Sequence, residues 1–99
     1  MQLKRNQLNM VLSFEIIYVY HHHNRGQFIF AKLLTGESGF EVKDGIFGGI
    51  PIYNYVEMPR MLDENGEQRL DVFVFCPIEP MQKGNFVQGQ CVELVLPNQ

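Results

Sequence analysis

A chain of 99 residues is the size of one domain and can bury one modest core. With 45% hydrophobic and 19% charged residues it is not compositionally disordered, and twelve aromatics without tryptophan suit a β-rich interior. A net charge of −3 argues against nucleic acid as the main partner.

Residues 1–9 are polar and lack periodicity, and they read as a flexible N-terminal arm. Lys4 and Arg5 ahead of the apolar run from Met10 to Tyr20 loosely imitate a signal peptide. Ser13 and Glu15 interrupt that run, no small-residue cleavage site follows, and it is too short and too polar to span a membrane. It reads instead as a strand. Alternation places Met10, Leu12, Phe14, Ile16, Tyr18 and Tyr20 on one apolar face, and Val11, Ser13, Glu15, Ile17 and Val19 on a mixed one. His21 through Gly26 form a turn. A second strand, Gln27 to Leu34, is apolar on both faces except at Lys32, as at a barrel seam.

Thr35 to Gly39 is a turn, and Phe40–Lys43 is a short strand with Phe40 and Val42 inward. Asp44-Gly45 and Gly48-Gly49 are turn signals around a segment that lacks the spacing and following helix of a phosphate-binding loop. The next strand runs from Ile50 to Met58; Pro51 places its start there or puts it on an edge. Asp63-Glu-Asn-Gly66 is a hairpin tip, Arg69–Cys76 a strand stopped by Pro77 and Pro80, and Gly89–Leu96 the last strand. No window longer than a possible turn at 80–83 shows helical periodicity. About six strands with regular turns predict an all-β domain over residues 10–97: a small antiparallel barrel of six to seven strands, or alternatively a small β-sandwich.

Four segments carry a resemblance: Phe28-Ile-Phe-Ala-Lys-Leu-Leu-Thr-Gly36, Val42-Lys-Asp-Gly45, Asp71-Val-Phe-Val-Phe75 and Phe86-Val-Gln-Gly-Gln-Cys-Val-Glu-Leu94. Together they resemble the second-domain β-barrel of translational GTPases, over residues 14–96. The resemblance is to the barrel alone, without a GTPase domain; Ala31-Lys32 stands where that family carries glycine, and Tyr53–Arg60 has no counterpart. It implies a barrel topology and a docking role rather than an activity.

No catalytic set emerges. Neither Ser13 nor Ser38 sits in a nucleophile setting, and Cys76 and Cys91, each in an apolar run, read as buried hydrophobes in a reducing, cytoplasmic context. His21 and His23 would share one strand face and could hold a metal ion, but too few further ligands accompany them, and a solvated His run is the plainer reading. The carboxylates of Asp63, Glu64, Glu67 and Asp71 crowd one hairpin with Arg60 and Arg69, as a solubilising set of cross-strand charges. Charge is uneven: residues 1–34 sum to +3 and residues 35–99 to −6, which could orient a partner or pair one molecule with its neighbour, although scattered solvated charge explains it too.

What remains is surface. Tyr53, Tyr55, Met58, Arg60 and Met61 are residue types favoured at interfaces, unless the tyrosines merely cap the core. The expectation is a non-enzymatic binding or assembly module that docks a protein partner or itself and needs no cofactor. The alternative is a nucleic-acid-binding, OB-like barrel that uses the basic N-terminal region, Tyr18, Tyr20, Arg25 and Lys32.

Overall fold

The computed structural model describes residues 10–22, 26–35, 40–78 and 86–97. They form six antiparallel strands and no helix: β1 (Met10–His22), β2 (Gly26–Leu33), β3 (Ile46–Phe47), β4 (Ile50–Pro51), β5 (Val72–Phe75) and β6 (Cys91–Leu96). The sheet order is β4-β3-β6-β1-β2-β5. Its two ends meet. The chain leaving β4 bridges to β5 at Ile52–Pro77 and Glu57–Val74, and the Tyr53 N–H donates to the Cys76 carbonyl at 3.0 Å. The curled sheet is thereby brought round into a small barrel, which leaves little open edge. No helix among the described residues is long and apolar enough to cross a membrane.

β1 is the spine, paired with β6 through Met10–Glu15 and with β2 from Phe14 onward. Up to Ile16 the alternation holds, and Leu12, Phe14 and Ile16 are buried. There the register slips: Ile16 faces Ala31 but Tyr18 faces Phe30, so Ile17 is the extra residue of a bulge. One added residue inverts every later side chain. Tyr18 and Tyr20 therefore stand outside, contrary to the single apolar face expected of the whole run, and Val19 packs against the core instead.

The core is organised around Phe14, which is fully buried and meets Phe40, Phe47, Phe73 and Phe75 edge-on at centroid distances of 5.0–6.2 Å. Phe47 also stacks on Phe75 at 4.6 Å and on Phe86 at 5.6 Å. Each such pair adds about 0.5–1.5 kcal/mol beyond the area it buries, and edge-to-face geometry is what the ring quadrupoles favour. β3 is a strand that turn signals alone did not suggest; it pairs with β6 because Gly48, at φ +60°, lets the chain reverse into β4. Conversely, Phe40–Lys43 forms no ladder, although Val42 is buried and Phe40 half-buried as their alternation implied. The expected strand over residues 50–58 shortens to Ile50–Pro51 followed by isolated bridges, since Pro51 has no N–H and Pro59 cuts off continuation.

Candidate functional site

The arc from Ile52 to Asp71 carries most of the residues singled out in the sequence. Tyr53 and Tyr55 are 48% and 71% exposed, so neither caps the core. Met58 and Arg60 are exposed and Met61 half-buried. Their backbone is held at several points: Tyr53 N–H to Cys76, Val74 N–H to the Glu57 carbonyl at 2.7 Å, and Arg69 N–H to the Met61 carbonyl at 2.7 Å. Asn54 adds a side-chain anchor, its Oδ1 accepting from the Asp44 N–H at 2.7 Å.

The Asp63–Gly66 tip is a turn with Gly66 at φ +81°, as the Asn-Gly pair implied. Asp63 builds it, with Oδ1 accepting from the N–H groups of Asn65 at 2.8 Å and Glu67 at 2.9 Å. On one arm of the hairpin, rather than across it as a cross-strand pair would be, Arg69 grips Asp71 two residues on with two nitrogens, Nε to Oδ1 at 3.1 Å and an Nη to Oδ2 at 2.9 Å. Hydrogen bonding from Arg69 holds the Asp71 carboxyl below its ordinary range, and the same bond raises the guanidinium. A shallow groove of about 600 Å³ lies beside this pair, lined by Leu33, Leu34, Asp63, Gln68, Arg69, Leu70 and Asp71.

The second candidate surface, around Tyr18 and Tyr20, also includes Phe28 and Phe30, which sequence reasoning missed. After the bulge, Tyr18 and Tyr20 lie on the outer face of β1 opposite Phe30 and Phe28, with ring centroids 5.7 and 6.1 Å apart. The two-sided apolarity of β2 was the signal: its inner set is Gln27, Ile29 and Ala31, and its outer set is Phe28, Phe30 and Lys32. Lys32 faces Glu15 across the ladder, which neutralises the patch at that end, and Arg25 lies outside the described residues.

His21 is exposed and pairs with Gln27, while His23 lies outside the described residues. Among the described residues no three His, Cys, Asp or Glu side chains are grouped to hold a metal ion. The cysteines do not follow the expected burial. Cys76 is half-buried, and Cys91 is exposed on the outer face opposite Glu15, because β6 turns Val92, Leu94 and Leu96 inward. Gln27 is buried, with an Oε1 that finds no partner among the described residues. No protein-family model, curated protein or solved structure matches this chain.

Proposed function

We propose that this barrel is a non-enzymatic binding or assembly module that docks a protein partner or a second copy through Tyr53, Tyr55, Met58, Arg60 and Met61. The observation that carries the reading is the pairing of exposed tyrosines with a backbone pinned by barrel closure. Aromatic side chains on a fixed backbone lose little conformational freedom on binding and bury much area, which is how interface anchors work. The docking role implied by the resemblance to translational-GTPase barrels agrees with it, and the reading places the protein in the cytoplasm.

The test compares the full chain with its Tyr53→Ala/Tyr55→Ala variant, each kept folded as judged by circular dichroism. Sedimentation across a concentration series reads self-association, and the two proteins as parallel baits read a partner. The reading holds if self-association, or the same captured protein, is present with the wild type and lost with the variant. Identical behaviour of the two would sink it.

One observation favours the nucleic-acid reading: the outward Tyr18, Tyr20, Phe28 and Phe30, on which bases could stack. Its mark is salt-sensitive oligonucleotide binding that Tyr18→Ala weakens. A chain that binds no oligonucleotide at low salt removes it.

A further inference from the structure

The tip of the 61–69 hairpin holds the chain's one Asn-Gly pair, Asn65-Gly66, and its surroundings decide how that pair reacts. In any asparagine the next residue's backbone nitrogen can attack the side-chain carbon Cγ and close a five-membered ring. Folded proteins restrain this in three ways. A bulky following residue shields the nitrogen, hydrogen bonds hold the side-chain amide, and packing fixes the backbone between them.

Asn65 lacks all three. Gly66 has no side chain, stands at φ +81°, and a Cβ built on it would meet nothing within 4 Å. Asn65 is exposed, and among the described residues its side-chain amide has no hydrogen-bond partner; only its backbone N–H is engaged, by the Asp63 Oδ1 at 2.8 Å. The attacking nitrogen is held by a single bond, from the Gly66 N–H to the Asp63 carbonyl at 3.1 Å. The frame around it is firmer, with Asp63 N–H to the Glu67 carbonyl at 2.8 Å and Arg69 N–H to the Met61 carbonyl at 2.7 Å. Opening one bond at an exposed turn is a local fluctuation, far less costly than unfolding. Asn54 is the opposite case. Its Oδ1 accepts from the Asp44 N–H at 2.7 Å, and Tyr55 follows it.

We propose that Asn65 is a self-modification site, at which the folded protein converts an amide into a carboxylate. The Gly66 nitrogen attacks Asn65 Cγ; the new N–Cγ bond forms as Cγ–Nδ2 breaks, and the proton lost from the Gly66 N–H departs with Nδ2 as ammonia. Water then opens the succinimide. Cleaving its Cγ–N bond gives aspartate, and cleaving its backbone C–N bond gives isoaspartate, whose main chain runs through Cγ and is one methylene longer. No electrons are exchanged, and water is the sole co-reactant. The inserted methylene falls between the two N–H groups that Asp63 Oδ1 holds, those of Asn65 and Glu67. The new charge falls between Glu64 and Glu67, where like charges repel. The Leu62–Gln68 bridge is next in line, and beyond it lies Arg69 with its ion pair to Asp71. The site is separate from Tyr53 and Tyr55 and does not rest on the docking reading.

Incubating the folded full chain at neutral and mildly alkaline pH, beside the same chain unfolded in urea, tests this. Peptide mapping by mass spectrometry reads conversion at each asparagine, and enzymatic methylation of isoaspartate reads the rearranged product. In the folded chain Asn65 is expected to convert within several-fold of its unfolded rate and many-fold faster than Asn54, with the rate rising as pH rises. Gly66→Ala, whose methyl group shields the nitrogen, should slow it several-fold. In the aged wild type the amide resonances of Leu62, Glu67 and Gln68 should shift while those of β1 and β6 stay. Conversion of Asn65 no faster than that of Asn54, or only in the unfolded chain, would overturn the proposal. A Gly66→Ala rate equal to that of the wild type would do the same.

Discussion

The Phe14 cluster and the Ile52–Asp71 arc close the same barrel by opposite means. The cluster joins β1, β3 and β5 through interlocked rings with almost no exposed surface. The arc runs past β5 with isolated bridges and single hydrogen bonds, and it leaves tyrosines, leucines and carboxylates to solvent. Packing sets stability in the first region, and local turn chemistry sets shape in the second. A molecule divided this way can vary its surface without risking its core, because the arc's outward side chains, unlike the buried Ile52 and the partly buried Val56, contribute little to folding.

Five variants probe the division, and the first falls in the cluster. Phe14→Ala removes the ring shared by four edge contacts and should cost about 3–5 kcal/mol, read by urea titration. For a domain of this size that lowers the melting temperature by more than about 10 °C. A loss below 1 kcal/mol, read against that scale, would mean that the cluster is not the centre of the core.

Gly48→Ala comes next. Its φ of +60° disfavours a side chain, and a Cβ would come within 2.9 Å of Phe86 and Val92, so about 2–4 kcal/mol should be lost. Gly66→Ala, in the arc at φ +81°, meets nothing within 4 Å and should cost only about 1 kcal/mol. Equal costs at the two glycines would erase the contrast between packed and open regions.

Asp71→Asn tests the arc's one ion pair among the described residues. Both partners are partly exposed, so the expected loss is about 0.5 kcal/mol, shrinking in high salt. Because Arg69 depresses the folded carboxyl, this contribution is present above the unfolded carboxylate's pKa, near 4, and disappears as pH falls through the lower folded value. The wild-type and variant stability curves should therefore converge in acid. Divergence there would reverse the assigned sign.

The smallest effect on folding belongs to Tyr53→Ala/Tyr55→Ala, within about 0.5 kcal/mol of wild type, as expected for exposed side chains. Its consequence should appear in association instead. A strong destabilisation would place these tyrosines with the core and against the docking surface.

The strands with long apolar alternation were legible to within a few residues. β1, β2, β5 and β6 lie where alternation and flanking turns put them, and the Asn65-Gly66 hairpin is a local signal that needed no tertiary help. Of the expected site, the exposure of Tyr53 and Tyr55 was left open by sequence, since a tyrosine can either cap a core or face water. Alternation put Tyr18 and Tyr20 on the apolar face, and only the nucleic-acid alternative assumed the outward position that they hold. A bulge at Ile17 has no signature in a run of β-formers, and it arises where β1 exchanges the β6 ladder for that of β2.

Composition, alternation and turn residues by themselves determined that this chain is all-β, which face of β1 turns inward as far as Ile16, and where most of the chain reversals fall. These are properties of a residue and its near neighbours, so they survive without knowledge of the fold. Only the tertiary structure decided that the two-residue strand β3 exists, that the arc after β4 joins β5, and that Leu34 and Asp63 share a groove. Such pairings depend on which segments closure brings together. Their free energy is gained only once the chain between them is ordered, so no local window of sequence contains it.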